Sequence, residues 1–382
     1  MSPWRKYIPG ILDNLIWLIL SGVVILFATQ TDKFLTPINL RNILVAASVL
    51  GILVVGQTFV LITGNFDLSA ESTLGLAAMT GLFLIVPAGS PTWGGGMELP
   101  PFVSVIVILT MGAAIGWLIG VLITYGKMNN FIVTLAMLII LRGAMLRFTE
   151  GQAVSSIDSE PAAVFNWLGH ESLFSLPWLG KVPVSVLVML GVFLIAYIVL
   201  QFRPFGRELY AIGGNRAAAL ASGIDPDKRV RQVYMISGFL AAFAGWILAG
   251  RISSVQSDLG EGYIFNVMAA AVIGGISLQG GRGSIVGALG GVLLLSVIDR
   301  GLNLMQVSVF WIQSIQGFVI LIAMFIDAQK VRFRGAAMAG INAMAEPTAP
   351  ASPDGIPVAS SNDYPSPERT TGAPAAQRSE IG

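Results

Sequence analysis

The chain has 382 residues, of which 54% are hydrophobic and only 11% are charged, whereas charged residues make up about 25% of a soluble domain. So much apolar surface has no place in a water-soluble fold, and the bilayer must therefore be the solvent. The net charge of +1 argues against a protein that binds nucleic acid through its phosphates. The absence of cysteine excludes disulfide, thiolate and iron–sulfur chemistry.

Ten apolar segments follow one another along the chain, each near the length of about 20 residues that a membrane-crossing helix needs. They lie at 11–29, 43–63, 72–88, 102–125, 130–148, 183–202, 232–250, 264–279, 284–299 and 308–326. The third, eighth and ninth are short, and glycines at 287, 290 and 291 interrupt the ninth, as in broken helices beside a transport path. The pattern predicts an all-α polytopic membrane protein with about ten transmembrane helices.

Positive charge predicts the orientation of these segments. With the N terminus inside and ten crossings, the inner connections hold thirteen Lys and Arg residues and the outer ones six. Positive residues accumulate on the cytoplasmic side of membrane proteins. We therefore expect a multi-pass membrane protein with both termini in the cytoplasm, and we read the first segment as an uncleaved span.

The stretch between the second and third segments, TGNFDLSAESTL at 63–74, places Asp67 and Ser69 just before a predicted helix. Both residue types accept hydrogen bonds from the free N–H groups at a helix start. Capping is therefore the default interpretation of this stretch, and a role in lining a transport path is the alternative.

Arg142 is the one charge clearly inside a predicted span, and an arginine at mid-bilayer costs about 2.5–3.5 kcal/mol. Snorkelling or pairing would offset this cost, and a pore-lining role is the alternative. The acidic residues near the segments are predicted at span ends, namely Asp13, Asp67, Glu71, Asp299 and Asp327. Carriers driven by ion gradients usually hold ionisable groups in mid-membrane, so we expect the energy for transport to come from another subunit.

The inner loop 203–231 contains a short helix with recognisable caps. Gly213 and Gly214 break the chain, Asn215 is a suitable N-cap for an alanine-rich helix at 216–222, and Gly223 suits a left-handed C-cap. A capped turn of helix on the cytoplasmic side could sit in the groove of another protein. The alternative is a connecting loop with a surface helix.

Glycine is concentrated between 260 and 327, above all in IGGISLQGGRGSIVGALGG at 273–291, which includes Gly274, Gly275 and Ser277. Small residues let helix backbones approach closely and let a helix break where protein buries it. Close helix packing explains most of this composition, and a place beside the transport path is the further possibility.

From Gly335 onward the chain changes character, because seven of its nineteen prolines fall there among Ala, Ser and Thr. Such a composition does not bury enough surface to offset the entropy lost on ordering. The sequence predicts a permease domain at 1–334 and a disordered cytoplasmic tail at 335–382.

Motifs for catalysis are missing from the sequence. There is no GxxxxGK[ST] phosphate loop, no HExxH and no GxSxG, and the single histidine rules out a cluster of histidine ligands. We therefore expect a transport subunit that is not an enzyme, holds no metal and binds no cofactor of its own.

The inner loop resembles the coupling loop of the ribose/xylose-type ABC importer permeases. The family pattern falls on Gly206, Arg207, Tyr210, Ala211, Ile212, Gly213, Gly214, Asn215, Ala217, Ala218, Ser222, Gly223 and Ile224. The resemblance implies that Asn215–Gly223 docks on a cytoplasmic ATP-binding subunit. Ala218 and Ala219 are the positions at which we expect added bulk to block that contact.

Two further stretches carry the same resemblance. The first, at 63–74, is similar to Gly-Gly-Ile-Asp-Leu-Ser-Val-Gly-Ser but has Asn65 and Phe66 before Asp67, and Ala70 and Glu71 after Ser69. The second, at 273–283, is similar to Gly-Gly-x-Ser-Leu-x-Gly-Gly-x-Gly. The resemblance suggests a translocation path near Asn65, Phe66, Asp67, Ser69, Gly274, Gly275 and Ser277, and a type II importer fold with an inverted repeat.

The resemblance also implies the partners and the substrate. Two ATPase subunits would bind ATP, a periplasmic or extracellular binding protein would deliver a pentose, hexose or related polyol, and a second permease copy or homologue would complete the path. A stand-alone carrier or channel for a small polar solute is the alternative, and a membrane-embedded enzyme is a third hypothesis.

Overall fold

Apolar helices make up most of the chain in the computed structural model, which describes residues 15–87, 96–155, 160–176, 180–308, 310–312, 314–318, 321 and 325. All of these residues belong to one compact unit, Met1–Lys330. The predicted tail at 335–382 and much of the tenth predicted span at 308–326 lie outside the described residues.

Twelve helices can be numbered in chain order within that part of the chain. They are α1 (Leu15–Gln30), α2 (Pro37–Ile62), α3 (Ala70–Ile85), α4 (Pro101–Thr124), α5 (Asn130–Thr149), α6 (Glu160–His170), α7 (Val184–Phe202), α8 (Pro204–Gly214), α9 (Arg216–Ala221), α10 (Pro226–Ile252), α11 (Tyr263–Ile273) and α12 (Ile285–Leu304).

Six of these helices, α2, α4, α5, α7, α10 and α12, are long and apolar enough to cross a membrane. Three more, α1, α3 and α11, are apolar but shorter, with 16, 16 and 11 described residues. The polytopic membrane architecture is thus confirmed, and so is the short length of the third and eighth predicted segments. The count of ten crossings and the inverted repeat stay predictions.

Of the two interpretations of the glycines in the ninth predicted segment, a short broken helix is wrong and close helix packing is confirmed. The structure has an uninterrupted helix of 20 residues there, α12, which extends five residues beyond Asp299. Its glycines serve as contact points instead. A Cβ atom on Gly291 would lie 2.0 Å from the carbonyl oxygen of Ala270 in α11, so glycine is what allows α11 and α12 to pack backbone to backbone.

Short strands add to the predicted all-helical fold. β1 (Val154–Ser155) pairs antiparallel with β4 (Ser254–Val255), and β2 (Ser172–Leu176) pairs antiparallel with β3 (Gly180–Pro183). Together with α6, these strands occupy the connections around 150–183 and 253–262, which the sequence predicted only as loops.

The core is built around α10, which packs against α2, α3 and α4. Tyr234, in the first half of α10, is among the largest side chains that are fully buried. Its hydroxyl donates a 2.5 Å hydrogen bond to the carbonyl oxygen of Phe66 in the α2–α3 connection. This bond links the central helix to the point where the chain leaves α2.

Candidate functional site

The inner loop folds into the capped helix that the sequence predicts. The Asn215 side chain accepts a 3.0 Å hydrogen bond from the backbone N–H of Ala218, so it caps the start of α9. Gly223 follows the end of the helix with φ of 83°, a left-handed conformation that glycine adopts without strain. Ser222 donates a 2.9 Å bond to the carbonyl oxygen of Ala218. Both predicted caps are confirmed.

The exposed face of α9 differs from the one the sequence suggested. Ala217, Ala218 and Leu220 are exposed, with Leu220 at 63%, whereas Ala219 is only 3% exposed and packs against this chain. The expectation that Ala219 faces a partner is therefore wrong, because a run of alanines does not reveal which of its faces turns inward. Leu220 shares an exposed apolar face with Ala217, three residues before it on the helix, and Ala218 is exposed beside them.

Ion pairs hold the loop against its neighbours. Arg216 in α9 pairs with Asp227 at the start of α10, and Lys127 contacts the same carboxylate at 3.4 Å. Arg229 pairs with Glu208 of α8 and lies over the ring of Phe205, 5.4 Å from its centre. By contrast, the Arg207 side chain is exposed and belongs to none of the ion pairs found among the described residues.

Three glycine-containing segments meet at the end of α8, in a contact that we term the glycine junction: 62–64, 213–214 and 280–281. The N–H of Gly281 donates a 2.8 Å hydrogen bond to the carbonyl oxygen of Ile62 at the end of α2. A Cβ atom on Gly213 would lie 1.9 Å from that oxygen. The junction therefore places the base of the inner loop in direct backbone contact with the ends of two other segments.

Tyr210 adds a side-chain contact to the glycine junction. Its hydroxyl donates a 2.9 Å hydrogen bond to the carbonyl oxygen of Gly283. Burial raises the pKa of Tyr210, so the hydroxyl stays protonated and available as a donor near neutral pH. Gly206, one helical turn before it, is buried against the end of α7.

The α2–α3 connection is a hydrogen-bonded corner. Asp67 accepts bonds from the N–H and hydroxyl of Ser69 at 3.0 and 2.6 Å, and from the hydroxyl of Ser237 in α10 at 2.7 Å. Asn65 accepts a 3.0 Å bond from the amide of Asn130 at the start of α5. The side chains that are buried at this corner are Asn65, Asp67, Ser69 and Ser237. Their hydrogen bonds join α2 and α3 to α5 and α10. Their place in a transport path stays a prediction.

Glu71 and Arg142, which the sequence singled out separately, lie together in the structure as a pair that we term the clamp. Arg142 Nη2 is 3.7 Å from Glu71 Oε1, an ion pair too long for a hydrogen bond. Arg142 Nη1 donates to the carbonyl oxygens of Ser257 and Leu259 at 3.1 and 3.0 Å. Arg142 was expected either to snorkel or pair, or to line a pore, and the structure shows that it is paired.

The clamp also fixes the start of α11. The second oxygen of Glu71 accepts a 3.1 Å hydrogen bond from the N–H of Ile264, where a carboxylate is favoured by the free N–H groups and the helix dipole. Glu71 and Arg142 are far apart in the sequence. Two signals could have suggested their pairing: Glu71 departs from the family pattern, and Arg142 places a charge within a span.

The other end of α11 leads into the loop 274–283. Gly274 ends the helix, and Gly275 adopts a left-handed φ of 88°. The N–H of Ser277 donates to the carbonyl oxygen of Arg282 at 3.1 Å, which closes the loop. These three residues therefore lie in the same loop as Gly280 and Gly281, one of the three segments of the glycine junction.

Comparison with known proteins identifies the family. Residues 39–325 match the family described as branched-chain amino acid transport system / permease component. The chain belongs to this permease family. It is therefore a transport component rather than an enzyme, in agreement with the lack of catalytic motifs.

The chain is similar over most of its length to several curated permeases. It is 39% identical to the ribose import permease protein RbsC of Escherichia coli K12, over 81% of this chain and 91% of that protein. For RbsC of Bacillus subtilis the identity is 37%, over 85% and 96%. For the galactose/methyl galactoside import permease protein MglC of E. coli K12 it is 29%, over 85% and 97%. No solved structure matches the chain.

Proposed function

We propose that this chain is the membrane-spanning permease subunit of an ABC importer for a monosaccharide, and that α9 docks on its ATP-binding subunit. The observation that carries the docking assignment is the geometry of the inner loop. A capped helix with an exposed apolar face stands on a base that contacts the end of α2 and the α11–α12 loop through closely packed backbone and through the Tyr210 hydroxyl.

A docking helix needs two properties, and both can be found in this loop. It must present a surface that another protein can bury, and Ala217 with the 63% exposed Leu220 offers one. It must also be held firmly enough for a displacement to reach the membrane helices. The Arg216–Asp227 pair joins α9 to α10, the Arg229–Glu208 pair joins α10 to α8, and the glycine junction joins the end of α8 to the ends of two membrane segments.

The remaining parts of the importer follow from this assignment. Separate ATPase subunits bind the ATP, since the chain has no phosphate loop, and a periplasmic or extracellular binding protein delivers the sugar. A second permease copy or homologue completes the path. A pentose, hexose or related polyol is the substrate class favoured by the named substrates of the relatives, ribose and galactose.

The distribution of positive charge supports a topology for the chain. The positive charge around the inner loop favours a cytoplasmic location for it, with both termini on that side of a bacterial inner membrane. The connections that hold α6 and the short strands then face outward. A cysteine introduced at Ser172 should react with an impermeant thiol reagent in intact cells, whereas one at Ala218 should not.

The docking assignment is tested in proteoliposomes that hold the permease, its ATPase subunits and its binding protein. Leu220→Asp should lower sugar-stimulated ATP hydrolysis by at least about tenfold, because a charge replaces an apolar anchor at the centre of a buried contact. Leu220→Met is the matched control and should keep most of the activity, since methionine preserves apolar volume at this exposed position.

Both variants should be extracted from the membrane in normal amounts and should elute from size-exclusion chromatography as the unmodified protein does, because Leu220 packs little against its own chain. Full sugar-stimulated hydrolysis in Leu220→Asp and in Ala218→Trp would refute the docking assignment. Sugar uptake by the permease alone, with neither ATPase nor ATP, would instead support the stand-alone carrier.

A further inference from the structure

A polar cavity lies between α2, α11, α12 and the short helical stretch at 314–318, and it is separate from both the inner loop and the α2–α3 corner. Its volume is about 150 Å³, room for about five waters at roughly 30 Å³ each and of the order of one monosaccharide. The residues that line it are Ala46, Leu50, Tyr263, Asn266, Leu295, Ser296, Asp299 and Gln316.

Hydrogen-bonding side chains converge on this cavity from three directions. Tyr263 and Asn266 lie one turn apart on α11, Ser296 and Asp299 lie one turn apart on α12, and Gln316 faces them from the stretch at 314–318. Ser296 is near the middle of α12, so the cavity lies within the length of an apolar helix, where polar groups are costly unless they serve a purpose.

Most of these side chains have spare hydrogen-bonding capacity. Within the described part of the chain, the side chains of Tyr263, Asn266 and Ser296 make no hydrogen bond, whereas a polar residue kept for packing is normally paired. Asp299 accepts from Gln316 and from Asn303, each at 3.4 Å, which is long and weak. None of the ion pairs among the described residues includes Asp299.

We propose that this cavity is a binding subsite for a single monosaccharide on its way through the permease. Sugar hydroxyls both donate and accept hydrogen bonds, and a set of one carboxylate, two amides and two hydroxyls can satisfy several of them at once. The ring of Tyr263 and the apolar walls of Leu50 and Leu295 suit the C–H face of the sugar. The proposal rests on the proposed function, because it assumes that a sugar is transported.

The clamp contributes to this subsite by positioning α11. Glu71 accepts a hydrogen bond from the N–H of Ile264, the residue directly after Tyr263. Since the start of α11 is fixed there, Tyr263 and Asn266 are held at the cavity wall. Deeper along α11, the amide of Gln57 in α2 donates a 3.1 Å hydrogen bond to the sulfur of Met268, which also ties α11 to α2.

Because the natural chain contains no cysteine, Ser296→Cys creates a single thiol inside the cavity. The rate of its modification by a small, membrane-permeable thiol reagent is measured in the full importer in nanodiscs. d-Ribose at ten times its dissociation constant should slow modification by about tenfold. Sucrose, a bulkier disaccharide, should protect less than ribose. Ser314→Cys, exposed on the neighbouring stretch, should be modified at the same rate with or without ribose.

Uptake in the same complex provides the second measurement. Asn266→Ala and Gln316→Ala should each lower ribose uptake by about two- to tenfold, the effect of one lost hydrogen bond. Ser314→Ala is the control and should transport normally. If Ser296→Cys does not assemble, Asn266→Cys replaces it as the reporter.

Equal modification rates with ribose, sucrose and no sugar, together with normal uptake in both alanine variants, would overturn the subsite while leaving the importer assignment intact. Failure of the unmodified complex to take up any monosaccharide would count against the proposed function and with it the subsite.

Discussion

The two ends of α11 are held in opposite ways. At its start, the clamp uses a buried carboxylate and a half-buried guanidinium, with Glu71 accepting the N–H of Ile264 and Arg142 reaching the carbonyl oxygens of Ser257 and Leu259. At its far end, the loop that contains Gly280 and Gly281 packs against 62–64 and 213–214 through backbone atoms. The start of α11 is held by particular side chains, whereas the contact at its far end forms because glycine has no side chain.

This difference separates two mechanical tasks. A buried ion pair is specific in direction and expensive to break on one side, which suits a fixed point that keeps the cavity wall in place. A backbone contact at glycines brings the segments close enough for one to push directly on the next, because no glycine side chain separates them. The glycine junction lies beneath the inner loop, where a movement of α9 would have to enter the membrane domain.

The clamp should give the largest loss of stability when only one partner is removed. Arg142→Met leaves the buried Glu71 without its cation, and the free energy of unfolding should fall by about 3–5 kcal/mol. The measurement is the unfolding of the purified protein in mixed detergent micelles with increasing denaturing detergent.

Arg147→Met is the matched control on the same helix, because the Arg147–Glu150 pair is exposed and should lose no more than about 1 kcal/mol. Replacing both clamp residues by apolar ones should recover part of the loss. Equal losses for Arg142→Met and Arg147→Met would show that the clamp does not hold the fold.

The glycine junction should give a smaller loss of stability, of about 1–3 kcal/mol for Gly213→Ala, because the new methyl group overlaps the Ile62 carbonyl and forces the segments apart. Gly214→Ala is the neighbouring control, since a Cβ atom there has no atom within 4 Å. Sugar-stimulated ATP hydrolysis should fall in the first variant and remain in the second. If the two behave alike, the close approach at Gly213 is not needed for coupling.

The smallest effect is expected for the single side-chain bond at the junction. Tyr210→Phe removes the donor to the Gly283 carbonyl and should lower the free energy of unfolding by about 0.5–1.5 kcal/mol. Tyr197→Phe, a partly exposed tyrosine of α7, serves as the control in the same detergent titration. A loss at Tyr210 as large as that at Gly213 would mean that side chains, and not backbone packing, dominate the junction.

Local chemistry explains which features could be predicted from the sequence. The caps of α9 depend on residues within a few positions of each other, so Asn215 and Gly223 identify them without any knowledge of the fold. The short third and eighth segments could be recognised from their length alone. The membrane environment follows from composition, because no aqueous fold accommodates 54% hydrophobic residues with 11% charged ones.

Interactions between distant segments could not be predicted in this way. Glycines in α12 were compatible with a break in the helix and with close packing, because glycine permits either outcome. Only the position of α11 beside α12 shows that these glycines serve close packing. The burial of Ala219, the pairing of Glu71 with Arg142 and the convergence of Asn266, Ser296 and Gln316 on one cavity each require helices to be placed side by side. Apolar periodicity determines that helices form in the membrane, whereas the shape and charge of the surfaces that meet determine which residues touch.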